Sequence, residues 1–478
     1  MPFFDPIRIG ASGAAEDFTV DRSLRFNDDD SAYLQRTPSS ASNRTTFTLS
    51  VWVKRASNLD EFQRIFEAGA DTSNRTYFTF DGDDKLEINH RDGGSEAVNL
   101  TTTAKFRDIS AWYHIVLAID TTQGTSSDRI KIYVNGTQQT DFDTSTYPSS
   151  SKELDINSTA THYMGIAVNG TSKFDGYMAE INFIDGQQLT PSSFGETDAT
   201  TGQWNPIDTS GLTFGTNGFR LKFADNSNNN ALTLGKDSSG NGNNFTPNNF
   251  SVSAGTGNDS LEDTPTNNFC TLNPLDVYGD GIAEEIKNGN LEAKNTSGGS
   301  YRTTRSTFHF TTGKWYWEVK VLNAGSATLI GVAGKDYVAG SGARRVYSTN
   351  GQKYTGSGSS YGASFTTNDI IGIALDLDNG TITFYKNGSS QGVAFTDMLT
   401  AMVDGGWTPV FNGYGNSEGA FNFGQRAFDY TQPTGYKSLC SANLPDPGIL
   451  DPTKHFNTLL YTGTGSSQNI TGLEFQPD

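Results

Sequence analysis

Apolar and polar residues alternate one for one in run after run of this chain, and a period of two admits only extended backbone. In FTLSVWVKR, Phe47, Leu49, Val51 and Val53 share one face, while Thr48, Ser50, Trp52 and Lys54 share the other. WYHIVLAID repeats the pattern with Tyr113, Ile115, Leu117 and Ile119, and DRIKIYVNG with Ile130, Ile132 and Val134. That last run stops at Asn135-Gly136, a dipeptide that supplies the positive φ angles of a two-residue hairpin. The second half follows the same grammar. Trp315, Trp317, Val319 and Val321 alternate with Tyr316, Glu318 and Lys320, and Ile371–Leu377 leads into TITFYKNG, with turns at Asn379-Gly380 and Asn387-Gly388. No long amphipathic helix interrupts these runs; Leu189–Glu196 offers one short turn at most. Helix content is therefore expected below about a tenth of the chain.

A chain of 478 residues exceeds one hydrophobic core, so the strands must divide between domains. Residues 1–21 are broken by Gly, Ala and Pro and read as an extended N-terminal arm. An Asn-rich stretch, NSNNNALTLGKDSSGNGNNFTPNNF, favours turns and separates the two alternating halves. The divisions expected are an arm at 1–21, a first sandwich at 22–255, a second at 256–435, and a C-terminal wrap or linker at 436–478. With 52 Gly joined to 12% aromatic residues, the composition is that of strands and turns rather than of a disordered chain. A net charge of −19 argues against nucleic acid, which is bound by Lys and Arg neutralising phosphates. No stretch approaches the roughly 20 apolar residues of a membrane span, and no signal peptide is visible. Two cysteines, Cys270 and Cys440, make no disulfide scaffold or Cys-based metal site; they bracket the second half and are expected to lie near each other.

Four motifs of the first half occur in a telling order: FTLSVWVKR, WYHIVLAIDTT, IKIYVNGTQ and FDGYMAEINFIDGQQLTPSSFG. With them, residues 22–250 resemble the concanavalin-A-like/laminin-G superfamily. In the second half, GKWYWEVKV, IIGIALDLDNGTITFYKNG and WTPVFNGYGNSEGAFNFGQRAF make residues 256–430 resemble a SPRY domain. The fold these resemblances imply is all-β: two tandem antiparallel jelly-roll sandwiches, laminin-G-like and then SPRY, behind the extended arm. The pairing, with its joint KDSSGNGNNFTPNNF, resembles virion structural proteins of marine bacteriophages, tail-fibre-like or decorating the particle. That resemblance implies a location in the virion after assembly in the host cytoplasm. The partners it implies are other virion proteins, a host cell-surface glycan or protein, and further copies of the chain in a homo-oligomer such as a trimer. Neither nucleic acid nor membrane insertion is expected.

Asp81, Asp83, Asp84 and Glu87 crowd the segment FDGDDKLE, which reads as a polar hairpin tip rather than as the paired carboxylates of a glycosidase. The five histidines show no metal-ligand spacing, and His114 reads as a structural residue. No catalytic residue is assigned, and an enzyme is not expected. No cofactor is expected either, apart from calcium, which the laminin-G resemblance leaves open near Asp175 and Asp185. Phe3, Phe4, Ile7 and Ile9 are apolar side chains on an arm too short to bury them, which makes them the expected virion anchor. In KDYVAGSGARRVYSTNGQKYTGSGSSYGASF, Tyr337, Arg344, Arg345, Tyr347, Tyr354 and Tyr361 are set among Gly and Ser. Tyr and Arg on adaptable loops suit recognition, so these six are the expected ligand-binding residues. The alternatives to host attachment are a purely architectural virion protein and a glycan-cleaving tailspike.

Overall fold

The computed structural model describes residues 18–56, 59–278, 284–296, 299–334, 343–445, 448–456, 462–469 and 471. The expected anchor residues Phe3, Phe4, Ile7 and Ile9, and Tyr337 of the expected binding stretch, lie outside them. Among the described residues every helical segment is a three-residue 3-10 turn, and one of these, Pro191–Ser193, falls where the sequence offered a single turn. All else regular is strand, as the alternation required.

The first half supplies β1 (Ser23–Phe26), β2 (Tyr33–Arg36), β3 (Thr46–Arg55), β4 (Gln63–Gly69), β5 (Arg75–Phe80) and β6 (Lys85–Asp92). β7 (Ser95–Lys105), β8 (Tyr113–Asp120), β9 (Ile130–Val134), β10 (Thr137–Gln139), β11 (Phe142–Thr146), β12 (His162–Met164) and β13 (Gly176–Asp185) follow. The hairpin β14 (Gly195–Thr197)–β15 (Trp204–Pro206), then β16 (Phe219–Leu221), β17 (Thr246–Asn248) and β18 (Ser260–Leu261) complete it. Two eight-stranded antiparallel sheets result. The inner sheet runs β10-β9-β8-β3-β13-β1-β18, with β16 also on β13; the outer runs β11-β7-β6-β5-β4-β12-β2-β17. The faces predicted apolar meet between them. Phe47, Leu49, Val51, Val53, Ile115, Leu117 and Ile132 pack against Phe66, Phe78, Leu86, Ile88 and Leu100 in one core. Asn135 and Gly136 turn β9 into β10 with φ of 48° and 78°, the conformation the dipeptide was read to supply.

The second half adds β19 (Leu272–Tyr278), β20 (Glu284–Lys287), β21 (Glu292–Asn295), β22 (Arg302–Ser306), β23 (Lys314–Asn323), β24 (Ala327–Gly334) and β25 (Arg344–Ser348). After these come β26 (Gln352–Tyr354), β27 (Gly358–Ser360), β28 (Ile370–Asp376), β29 (Thr381–Lys386), β30 (Ser389–Phe395), β31 (Trp407–Tyr414) and β32 (Glu418–Asn422). They form two seven-stranded sheets, β19-β22-β31-β24-β25-β26-β27 and β20-β21-β32-β23-β28-β29-β30. Trp315, Trp317, Val319 and Val321 enter their core as the alternation predicted.

The two sandwiches are not joined by a loose linker. β18 pairs with β1, so the segment leaving the first sandwich extends its inner sheet. The outward face of that sheet carries Trp52, Tyr177 and Ala179, which join the core cluster of the second sandwich together with Trp112. Arg25 on β1 pairs with Asp259 at 2.9 Å, and the Tyr177 hydroxyl donates to the Gly289 carbonyl. Even the described end of the arm is held here. Val20 is buried and its N–H donates to Thr266 Oγ1. The cysteines meet at the same level: Phe269 bridges Cys440, and the Cys270 N–H donates to the Leu439 carbonyl. Both thiols are free and buried, each with its own neighbours, Thr307 for Cys270 and Asn443 for Cys440.

Candidate functional site

A sheet face in a sandwich has side chains that either meet the core or look away from it, and the second kind must find water or a cover. The inner sheet is covered: on one side by the second sandwich, and elsewhere by Phe194 and Phe214, which pack on Val116 and Ile184. Among the described residues no further sheet packs on the outward face of the outer sheet, and its outward positions are occupied by an unusual set of residues.

The register lines them up. Gln35 stands opposite Tyr163, Tyr163 opposite Glu67, Glu67 opposite Tyr77, Tyr77 opposite Asn89, and Asn89 opposite Asn99. One row of polar and aromatic side chains thus crosses six strands. Its middle is tightly organised. The Tyr77 ring lies between two guanidinium groups, Arg64 at 3.9 Å and Arg75 at 4.9 Å from its centroid. Its hydroxyl donates to Glu87 at 3.1 Å. Glu67 pairs with Arg64 at 2.7 Å and Arg75 at 3.3 Å, and accepts the Val168 N–H of the loop that folds over β4. Burial holds the Glu87 carboxyl above its ordinary range and pushes the Tyr77 hydroxyl up to about 12. Arg64 Nη1, Arg75 Nε and Asn89 Oδ1 are buried without a hydrogen-bond partner among the described residues. Such groups are ordinarily matched by water or by a ligand.

The two ends of the row reach solvent. At one end the half-exposed rings of Tyr33 and Tyr163 lie 6.3 Å apart beside half-exposed Gln35. At the other, half-exposed Asn99 hydrogen-bonds Glu96, which also holds Asn89 at 2.7 Å. Two aromatic rings tilted 46° to each other beside an amide, next to a fixed cluster of charge, can stack on an apolar ligand face and hydrogen-bond its polar edge.

This surface was not picked out in the sequence, although the signal was there. In RTYFTF and KLEINHRD the polar half of each alternation carries Arg75 and Tyr77, and Glu87, Asn89 and Arg91, beside Thr79 and Lys85. FDGDDKLE does form a turn between β5 and β6, but Asp84 within it is buried between Arg55 and Arg107, and Glu87 lies on the strand.

The six residues expected to bind ligand do not form one surface. Arg344 to Ser348 is strand β25, not loop, so neighbouring residues point to opposite sides. Arg345 and Tyr347 face the core. Arg345 is buried, paired with Asp397 at 2.5 Å and set over the rings of Phe395 and Trp407. Tyr347 is fully buried, and its hydroxyl donates to the Ala363 carbonyl. Half-buried Tyr361 packs edge-on to Tyr347 and donates to the Gly392 carbonyl. Among the described members of the six, only Arg344 and Tyr354 share the other face of this sheet, half-buried, the guanidinium 6.0 Å from the ring. The two arginines are therefore not a paired charge. Asp175 and Asp185 are also apart. Asp175 immediately precedes β13 and Asp185 ends it, about 30 Å along the strand, so they cannot share a calcium ion. Asp185 is engaged by Asn43, Asn157 and Asn217. Among the described residues no group of three or more His, Cys, Asp or Glu is placed to hold a metal ion.

Comparison with known proteins divides the chain as the sheets do. Residues 28–193 match the family model described as the concanavalin A-like lectin/glucanases superfamily, and residues 314–426 match the SPRY domain. Ran-binding protein 9 of Danio rerio is 33% identical over 98 residues, which are 18% of this chain and 16% of that protein. The chain thus matches only a small part of that relative's length. The SPRY domain of human HERC1 is 21% identical over 33% of this chain and 99% of its own, with a TM-score of 0.28. A structure titled as a putative carbohydrate binding protein from Bacteroides ovatus is 17% identical over 49% of this chain and 60% of its own, with a TM-score of 0.33.

Proposed function

From a concanavalin-A-like domain followed by a SPRY domain, we propose a non-enzymatic attachment protein of a bacteriophage virion that binds a glycan or protein of the host surface. The observation that supports binding is the row across the outer sheet, whose half-exposed tyrosines stand beside buried, ion-paired side chains already fixed in place. Preorganisation of this kind lowers the entropy lost on binding. Sugars offer apolar ring faces for Tyr33 and Tyr163 and hydroxyls for Gln35, so a glycan suits this end of the row. The virion setting rests on the likeness of the two-domain arrangement and its Asn-rich joint to marine phage proteins. Antibodies against the purified chain should label intact particles of the phage that encodes it; labelling confined to debris contradicts the virion assignment. Release of reducing sugar from host polysaccharide would contradict the non-enzymatic one.

An architectural role in the same particle has an observation of its own. β19 is the edge of its sheet and exposes Leu275, Val277 and Tyr278. Unprotected apolar edges of this kind invite another chain.

A further inference from the structure

The junction between the sandwiches contains a lysine with no access to water. Lys54, on the outward face of β3, is fully buried, and its ammonium group touches three acceptors. These are Asp263 Oδ2 at 2.8 Å, Asn268 Oδ1 at 2.7 Å and the Phe269 carbonyl at 3.0 Å. Asp263 is itself buried, its other oxygen accepting Trp112 Nε1 and the Phe269 N–H, each at 3.2 Å. Asn268 is fixed from behind, donating through Nδ2 to the Ser110 carbonyl at 2.7 Å. Aromatic side chains wall the group: the Tyr177 ring lies 5.7 Å from Nζ, and Trp112 packs on Tyr177.

We propose that these three side chains form an intramolecular isopeptide bond between Lys54 and Asn268, with Asp263 as the catalytic acid–base. An amine, a side-chain amide and a carboxylate held within hydrogen-bond reach, away from water, have the proximity that turns amide exchange into a unimolecular step. In the first step a proton passes from Nζ to Asp263 Oδ2, 2.8 Å away. The Nζ lone pair then forms a bond to Cγ of Asn268. The tetrahedral centre collapses as the Cγ–Nδ2 bond breaks, with Nδ2 protonated by way of Asp263. One amide replaces another, Asp263 returns to carboxylate, and the surplus protons leave with the nitrogen as ammonium; no oxidant, nucleotide or metal enters the balance. The product is a covalent strut between residues 214 apart in sequence, from the inner sheet to the segment that enters the second sandwich. It would hold the two sandwiches together under load and during proteolysis, whatever either of them binds.

Intact-mass spectrometry of the purified full-length chain, followed by peptide mapping, tests this. The expected result is a mass lower than the sequence mass by one ammonia, and a branched peptide joining the Lys54 and Asn268 segments. The branched peptide separates the bond from succinimide formation at Asn135-Gly136, which loses the same group without cross-linking. Asp263→Asn should return the mass to that of its own sequence. If that variant does not fold, the wild-type chain alone decides. Full sequence mass with no branched peptide would leave Lys54–Asp263 a buried ion pair and overturn the proposal. Loss of one water with a Lys54–Asp263 link would overturn the assignment of Asn268 as the acylating group.

Discussion

Asp84 sits at a left-handed turn position, φ 66°, with one carboxylate oxygen on Arg55 at 2.8 Å and the other on Arg107 at 2.7 Å. Arg55 is fully buried, so removing its partner strands a charge. Asp84→Ala is expected to cost about 3–5 kcal/mol in urea unfolding, whereas an exposed hairpin aspartate would cost a few tenths. Buried histidines set the response to acid. His114 is stacked between Trp52 and Trp204 and accepts Trp204 Nε1 on Nδ1, which leaves Nε2 to donate to Ser50. Burial pushes its pKa down to about 3, and that of His162 to about 4. The unfolded chain therefore binds these protons first: stability is fully present above about pH 6.5 and falls as pH drops toward the folded values. Each histidine should remove about 2 kcal/mol between pH 7 and pH 5. The loss should shrink by that amount in His114→Gln; an equal loss in both proteins would contradict the assignment. That His114 is structural was legible from its place opposite an apolar strand face. That Asp84 is buried was not, because a turn of acidic residues carries no mark of the arginines brought to it by β3 and the segment after β7.

At the scale of the element, alternation decides what a residue can do, and β25 shows how Gly and Ser can mask it. Gly and Ser around Arg344–Tyr361 suggested loops, yet the stretch forms β25, β26 and β27 at one edge of a sheet. Adjacent arginines consequently have different fates. Arg345→Ala should cost about 2–4 kcal/mol, from the lost ion pair and the packing of its stem. Arg344→Ala, facing the other way, should stay within about 1 kcal/mol. Equal effects on the urea midpoint would argue against the strand. The same period made the core legible, since Phe47 to Val53, Tyr113 to Ile119 and Trp315 to Val321 all meet it from the predicted side. The outward half of the pattern was legible only as polar. Which outward positions stack and pair into a site depends on register between strands, and neither β5 nor β6 alone records that Tyr77 lies opposite Asn89.

For the whole molecule the two halves behave as one body. Large aromatics on the polar side of β3 and β13, Trp52 and Tyr177, were the sequence's sign that a second layer covers that sheet. Calorimetry should therefore record a single unfolding transition for the full chain; two well-separated transitions would mean that the junction adds little. Among the described residues the junction covers the inner sheet and leaves the ends of the outer-sheet row at solvent, and the account rests on the Tyr33–Tyr163 end binding a glycan. The direct measurement is a glycan array probed with the wild-type chain and with Tyr33→Ala, Tyr163→Ala, both checked for an unchanged melting temperature. Binding by the wild type that falls at least tenfold in the double variant is the predicted result. No glycan bound by the wild type, or binding undiminished in the folded variant, would contradict it.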